Sequence, residues 1–575
     1  MKQKFSSLGL LLILTGWTSL LSAAFAPVEQ PPLKNLVTTH VGEVAENGPL
    51  MVPIITWGGD IPTVLANGNS RKTAPNSIFA QKGLSIELKR EDIFAQQVSA
   101  YMSGKTPFLR GTLGMINMAA EITDTDPRTK MQVIYQLSWS NNGDAIVVKS
   151  HIKTPSDLKG KTIALQAHGP HVDYLAKILK DAGLTIADVQ LSFTKDLTGT
   201  DQSPGEAFRQ NNVDAAMAII PDAMALTSNG SVGSGAEGSV KGAKILLTTK
   251  VANRIIADVY AVRSDYLQKN KAKVQAFVQG LMKAQEDVAE LFKNKESQLG
   301  SYSKLMTASA EFLLDSPTAI ADTEGMYFDT QFVGFKGNLK FFTEVHEPRN
   351  FDNLCIEIQD AFLKLGLLSR KVVIDNAEWD YNGFKAELKN TKLAETPKFD
   401  AKKVSVAVEN LNRTGALKDA ELFSFKINFQ PNQNDFTADM YAKEFNEAID
   451  KASTYGGAIV TIEGHSDPLK YLKLKKENAG EIVLRQTIQS NKNLSYSRAA
   501  KVMDALIDYA KSKGITLDRS QFTAIGQGFS KPTSGVDSQG EPLAPKSKQA
   551  WLDNMRVDFR IIKIQAEETQ FEMIE

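Results

Sequence analysis

The chain has 575 residues, with 66 Lys plus Arg against 66 Asp plus Glu and a formal net charge of zero. That length accommodates two to four domains, and the charge balance leaves no global electrostatic case for nucleic-acid binding. The single cysteine, Cys355, excludes an internal disulfide, so the cores alone must hold the fold.

Residues 1–26 read as an export signal. Lys2 and Lys4 precede an apolar run over residues 8–21, and Ser22-Ala23-Ala24-Phe25-Ala26 supplies small residues for cleavage after Ala24 or Ala26. Pro27 makes the second cut the poorer one. An uncleaved anchor is the alternative, but Thr15, Gly16, Thr18 and Ser19 interrupt the run below a comfortable span. No cysteine follows the run, which argues against a lipid-modified terminus, and no second apolar run approaches 18 residues, so the remainder is expected to be soluble. Residues 27–47, with Pro27, Pro31 and Pro32, read as an extended leader.

From Met51 short apolar strands alternate with helices. Strands are expected at 51–55, 86–88, 131–135, 145–148, 162–165, 215–219 and 245–248, and helices at 92–102, 171–182 and 271–292. Alternation of this kind predicts a parallel α/β architecture. Leu354-Cys355-Ile356-Glu357-Ile358 looks helical, with Cys355 a small buried apolar residue.

Three motif-like stretches fail on inspection. His168-Gly169-Pro170-His171 with Asp173 superficially suggests a metal cluster, but Gly-Pro breaks helical spacing and no further ligand is evident, so no metal or other cofactor is expected. Gly160-Lys161-Thr162 ends like a phosphate loop, yet Pro155 stands where the opening glycine belongs. The run 228–242, with five glycines and four serines, is a flexible surface loop.

The order of elements over residues 48–382 resembles the periplasmic solute-binding proteins of nitrate, sulfonate and taurine importers. The resemblance rests on Asp144-Ala145-Ile146-Val147-Val148, on Asp157-Leu158-Lys159-Gly160-Lys161, on the loop 164–171 that opens a helix, and on Asp258-Val259-Tyr260-Ala261-Val262-Arg263. It implies a type II two-lobed fold, with a first lobe of residues 50–144 and 260–382 and a second of 145–259. Ligands in such folds lie beyond the carboxyl ends of strands, at helix starts. That nominates Trp57, Gly58, Gly59, Asp60, Trp139, Ser140, Asn141, His168, Gly169 and Asp222 as ligand-binding residues. Asp60 and Asp222 argue against a bare anion, whereas an amine-bearing or heteroaromatic ligand could stack on Trp57 or Trp139. Core packing is the competing role for both tryptophans.

Residues 383–420, with scattered lysines and Pro397, read as a hydrophilic linker; roughly 35 extended residues would reach on the order of 120 Å. The last domain is expected at 421–565, followed by a tail at 566–575. Strands are predicted at 422–429, 458–463, 522–525 and 556–561. Between them a helix over 491–514 is capped by Asn493 or Ser495, carries an apolar stripe of Ala499, Val502, Met503, Leu506, Ile507 and Ala510, and stops at Gly514.

These residues resemble the OmpA-like peptidoglycan-binding domain: Gly464-His465-Ser466-Asp467, Asn491, Leu494-Ser495, Arg498-Ala499, Gly526-Gln527-Gly528 with Pro532, and Asn554-Met555-Arg556-Val557 follow in order. The resemblance implies a wall-binding surface of Asp467, Asn491, Leu494, Ser495, Arg498 and Arg556. In it, Asp467 and Arg498 would hold the zwitterionic end of diaminopimelate, the carboxylate on the ammonium and the guanidinium on the carboxylate. Two departures stand out: a Lys/Glu-rich insert at 469–489, and Met555 where the family usually has a first arginine. An ordinary surface ion pair is the competing reading of Asp467 and Arg498.

The expectation is therefore an exported, non-enzymatic envelope protein of the Gram-negative periplasm. It would bind a small polar solute, with an ABC permease as a candidate partner, and anchor to diaminopimelate-type peptidoglycan. A structural adaptor gripping a protein partner is the alternative, and an enzyme acting on the bound molecule a third; no Ser-His-Asp order or nucleophile elbow supports the latter.

Overall fold

The computed structural model describes residues 27–45, 48–391, 399–428 and 438–563. The expected signal and tail, most of the linker's centre and the end of the predicted strand at 422–429 lie outside these residues.

The first lobe is built from β1 (Leu50–Ile54), β2 (Ile86–Arg90), β3 (Phe108–Thr112) and β4 (Met131–Ser140). The second holds β5 (Asp144–Val148), β6 (Thr162–Gln166), β7 (Gln190–Thr194), β8 (Ala215–Ile219) and β9 (Lys244–Thr248). The chain then returns to the first lobe through β10 (Ala257–Arg263), β11 (Thr330–Phe332) and β12 (Asp375–Asn376). Strand order is β11-β4-β10-β3 in the first lobe, with β12 beside β4 and β1-β2 as a parallel pair, and β7-β6-β8-β5-β9 in the second. The two crossings between lobes are the short β4–β5 turn and the segment between β9 and β10.

The expected strands all form, but the architecture is mixed rather than parallel. β5 runs antiparallel to β8 and β9, and β10 antiparallel to β3 and β4, because each begins or ends a crossing and must reverse direction. β3 and β7 escape the sequence pattern for local reasons: Arg110 and Gly111 interrupt the apolar run of β3, and β7 is a short edge strand with polar ends.

The helices used below are α1 (Leu33–Leu36), α2 (Leu113–Met118), α3 (Val172–Asp181), α4 (Ile220–Leu226), α5 (Ser264–Lys293), α6 (Phe351–Leu365), α7 (Ala401–Thr414), α8 (Ala442–Thr454), α9 (Leu469–Lys476) and α10 (Glu481–Ser512). Cys355 on α6 is buried as expected, and burial pushes its thiol up to about 12.

Two segments expected to be loose are tied down. The leader runs as a strap from the second lobe to the first. Val28 N donates to Phe193 O at 2.9 Å, α1 buries Leu33 under the first lobe, and Gly42 N donates to Met102 O at 2.9 Å. The linker is structured at both ends. Tyr381 and Phe384 are buried in the first lobe's core, and α7, capped by Asp400, buries Val404 and Val408 against Ile459 and Ile562.

The last domain forms a sheet of β13 (Glu421–Asn428), β14 (Ile459–His465), β15 (Phe522–Gly528) and β16 (Arg556–Ile562) in the order β13-β16-β14-β15. α10 is longer than expected. It starts at Gly480, so Asn493 and Ser495 lie in mid-helix and cap nothing. The insert is rich in helix formers on either side of a break at Asn478 and Gly480, so it folds into α9 and then extends α10 toward its amino end. The predicted stripe holds: Ala499, Val502, Leu506 and Ala510 are buried, with Met503 and Ile507 half-buried.

Candidate functional sites

The seam between the lobes is formed where α2 of the first lobe meets α3 of the second. At Gly114 the contact is so close that a Cβ would lie 2.2 Å from Asp173 Oδ1. Behind this contact, Asp144 at the start of β5 bridges the crossing: its Oδ1 lies 2.7 Å from His171 Nε2, and its Oδ2 accepts from Ser140 Oγ at 2.6 Å. Thr249 Oγ1, on the other crossing, lies 2.9 Å from Ser140 Oγ.

Three polar atoms at the start of α3 are buried without a hydrogen-bond partner among the described residues: His171 Nδ1, Asp173 Oδ1 and the Tyr174 hydroxyl. Burial dominates Asp173 and raises its carboxyl to about 7; nearby Glu357 adds to the rise, while hydrogen bonds from the backbone of Asp173 and Tyr174 and the charge of Arg349 oppose it. His171 Nε2 faces the Asp144 carboxylate, and Nδ1 is the ring atom left without a partner.

The nominated ligand residues fall into three groups. Ser140 is part of the seam network, and Asn141 N donates to Asp329 O at 2.8 Å beside it. Trp57 is half-buried at its edge; its indole donates to Ser138 Oγ at 3.2 Å, and its ring packs against Gly59 and Gly143. Trp139 is only 6% exposed, edge-on to Phe341 at 5.7 Å with the Arg254 guanidinium 5.6 Å over its ring.

A second group serves the fold instead. Gly58 and Gly59 are buried, and a Cβ at Gly58 would lie 2.1 Å from Met326 O. Asp60 is fully buried and accepts from Arg110 Nε at 3.1 Å; Arg110 also donates to Asp258 at 3.0 Å. Asp60 is thus a counter-ion inside the first lobe, and its argument against an anionic ligand lapses. Gly169 is buried against Gln166, and His168 Nε2 lies 2.6 Å from Pro31 O of the leader, so the strap already takes its free valence.

Asp222 stands alone. It lines a cavity of about 310 Å³ within the second lobe, beside Ser203, Glu206 and Arg209 and at the start of α4, away from the seam residues.

The sequence reading missed Arg110 and Thr249 altogether, and quoted Asp258 only as part of the returning crossover. Asp144 and His171 were visible only as motif neighbours. A buried Asp–Arg–Asp triad drawn from residues 60, 110 and 258 leaves no local spacing to detect.

The second candidate site is on the last domain. Asp467 follows β14 and is half-buried; Oδ1 accepts from Leu469 N at 2.8 Å and Oδ2 from Asn554 Nδ2 at 3.0 Å. Burial raises its carboxyl above the ordinary range. Arg498, on α10, is also partly buried. Among the described residues no ion pair or hydrogen bond engages its guanidinium, and desolvation lowers its pKa. Gly528 links the two neighbourhoods: its N–H donates to Ser495 Oγ at 2.9 Å, and its carbonyl accepts from Ser466 N at 2.8 Å. Gly464 lets α10 close on β14, since a Cβ there would lie 2.0 Å from Ser495 O. Asp467 and Arg498 therefore do not form the simple surface ion pair that was the competing reading.

The four other nominees are already engaged or positioned otherwise. Arg556 is buried and pairs with Asp558 at 2.9 Å, so it braces the sheet rather than offering a free guanidinium. Burial opposes ionisation of Asp558, yet His465 and Arg556 hold its carboxyl down at about 2. Asn491 Nδ2 donates to Thr487 O at 2.9 Å within its own helix. Ser495 is buried on Gly528, and Leu494 is 48% exposed.

The site geometry defines a hinged, two-lobed α/β domain with polar groups at its seam, joined to a second α/β domain. Residues 77–291 match the family described as NMT1/THI5 like. The chain is 27% identical to the taurine-binding periplasmic protein of Escherichia coli (strain K12) over 216 residues, which is 37% of this chain and 60% of that protein. Among solved structures it is similar to the periplasmic aliphatic sulphonate binding protein SsuA from Escherichia coli, with 19% identity, 61% of this chain, 97% of that one and a TM-score of 0.40. The alkanesulfonate-binding protein SsuA from Xanthomonas axonopodis pv. citri gives 17% identity, 58% and 98% coverage and a TM-score of 0.38.

Proposed function

We propose that this is an exported envelope protein whose two-lobed domain reversibly binds a small solute carrying an amino group. Its last domain docks non-covalently on the diaminopimelate-containing stem peptide of peptidoglycan. The observation that carries the first half is the trio of unpartnered atoms at the start of α3. Buried polar atoms without partners are costly, and a ligand that supplies donors to His171 Nδ1 and Asp173 Oδ1 removes that cost. An ammonium beside Asp173 would also draw its carboxyl back to the charged form. The relative named for taurine, an aminosulfonate, supports this class of ligand. The proposal extends to delivery of the solute to an ABC permease; the same relative is named as periplasmic.

For the second half, two half-buried groups of opposite charge with unspent valence suit a zwitterion better than they suit each other. No reaction chemistry is required: Cys355 is buried and protonated at neutral pH.

A second reading has one observation in its favour. Trp139 is sheathed by Phe341 and Arg254, as expected for an adaptor whose cleft is filled by its own side chains.

Two measurements test the proposal. Taurine and short aminosulfonates should raise the melting temperature of the full chain by several degrees at millimolar concentration, and Asp173→Asn should abolish the shift. If amino and non-amino sulfonates all leave it unmoved, the adaptor reading stands. Asp467→Ala or Arg498→Ala should reduce sedimentation with purified diaminopimelate-type peptidoglycan at least tenfold. Unchanged sedimentation of both variants removes the wall site.

A further inference from the structure

The last domain does not hang free of the lobes; it is seated on their hinge. The turn after α8 meets the crossing between β9 and β10: Gly457 N donates to Val251 O at 3.1 Å, and Arg254 N donates to Thr454 O at 3.3 Å. A Cβ at Gly457 would lie 1.8 Å from Lys250 O, so only glycine permits this approach. Lys563 Nζ donates to Ile245 O on β9 at 3.1 Å.

Beside this turn lies an ionic node to which all three bodies contribute. Lys177, on α3 of the second lobe, has only 2% of its side chain exposed. Its ammonium lies 3.0 Å from Asp181 of its own helix, 2.7 Å from Asp450 of α8 and 3.6 Å from Glu357 of α6 in the first lobe. Asp181 in turn accepts from the Tyr455 hydroxyl at 2.7 Å, and its backbone carbonyl accepts from Lys451 at 3.2 Å. Arg349 donates to Glu357 at 2.9 Å and to the hinge carbonyl of Arg254 at 2.9 Å. Burial opposes ionisation of Glu357, yet Arg349, Lys177 and Lys180 hold its carboxyl down at about 2, so the node is charged at neutral pH.

We propose that the last domain is a clamp on the hinge, holding the two lobes at the angle seen here. Opening the lobes requires the crossing at 249–257 to change its backbone angles and α3 to move away from α6. Moving α3 from α6 parts Lys177 from Glu357, and turning the crossing parts Val251 and Arg254 from Gly457 and Thr454 of the last domain. Breaking such a buried pair leaves an uncompensated charge, so opening and undocking occur together. By linkage, whatever loads or displaces the last domain changes the affinity of the cleft, and a ligand that favours an open cleft weakens the docking by the same factor. The inference rests on this interface alone, and not on the identity of the solute or on the wall-binding reading.

The test uses the full chain with spin labels at Glu87→Cys on the first lobe and Lys153→Cys on the second, both exposed positions; the native thiol is buried and stays unlabelled. The unmodified interface should give one narrow inter-lobe distance distribution. Asp450→Lys, at a site whose side chain is 41% exposed, places a second cation against Lys177 and should broaden that distribution toward longer distances. Amide exchange over 245–257 should accelerate about tenfold. Tyr455→Phe, which deletes one hydroxyl, should move both readouts the same way to a smaller extent, and it decides the matter if Asp450→Lys does not fold. An inter-lobe distribution superposable on that of the parent, in a folded variant, overturns the clamp whatever the exchange rates do.

Discussion

At the scale of single residues, the informative groups are those whose charges are not balanced locally. Asp173 is the clearest case, buried at the seam with a carboxyl raised to about 7 against an ordinary 3.8. Between those values the unfolded chain has already released a proton that the folded chain keeps. The stability this group contributes is therefore fully present below about pH 4, is lost as pH rises, and is gone above about 7. Glu357 and Arg349 face the same carboxyl with opposing effects and remain charged across this window. Asp173→Asn should flatten the falling limb, of which Asp258 and Asp329, each raised to about 6, retain a part, and raise stability at pH 8 by on the order of 4 kcal/mol, read from urea midpoints at several pH values. A parallel pH profile in the variant would show that Asp173 is not the group responsible. Asp60 makes the contrasting point. It too is a buried aspartate near the cleft, but Arg110 neutralises it, and nothing is left over for a ligand.

At the scale of elements, short segments decide which surfaces meet. α10 is the pillar of the last domain. Its stripe of Ala499, Val502, Leu506 and Ala510 packs on the sheet, while Ser495 and Arg498 on the same helix bring the candidate wall site beside β14. The turn at Gly457 plays the corresponding part between domains. Gly457→Ala should leave each half folded, because the clash is with Lys250 O across the interface rather than within either core. The variant should undock, raising proteolytic cleavage between residues 387 and 400 by about tenfold, equivalent to ~1.4 kcal/mol of lost docking. Unchanged cleavage would mean that the interface absorbs the methyl group.

At the scale of the whole molecule, the leader strap, the ionic node and the hinge contacts join what the sequence presents as beads on a string. A long hydrophilic linker predicted domains far apart; the structure docks them and folds α7 onto the last domain. Calorimetry of the full chain should accordingly show one cooperative transition, and Asp450→Lys should split it into two. Two transitions in the unmodified chain would contradict a docked interface of this kind.

What the amino-acid order determined by itself was everything carried by short-range periodicity. Seven of the twelve described strands of the lobed domain, the helices following β6 and β10, the stripe of α10 and the burial of Cys355 are all written in spacing, because a strand or helix hides one face regardless of what covers it. Only the tertiary structure decided which polar residues were free. Asp60, His168 and Arg556 look like ligands in sequence and prove to be spent on Arg110, Pro31 and Asp558. Asp173, set aside with an unconvincing metal motif, keeps a buried oxygen without a partner. The reason is that a charge is neutralised by whatever lies within a few ångströms of it. For Asp60 and His168 that neighbour lies 50 and 137 positions away along the chain, beyond the reach of any local pattern, whereas Arg556 meets Asp558 two positions further along its own strand.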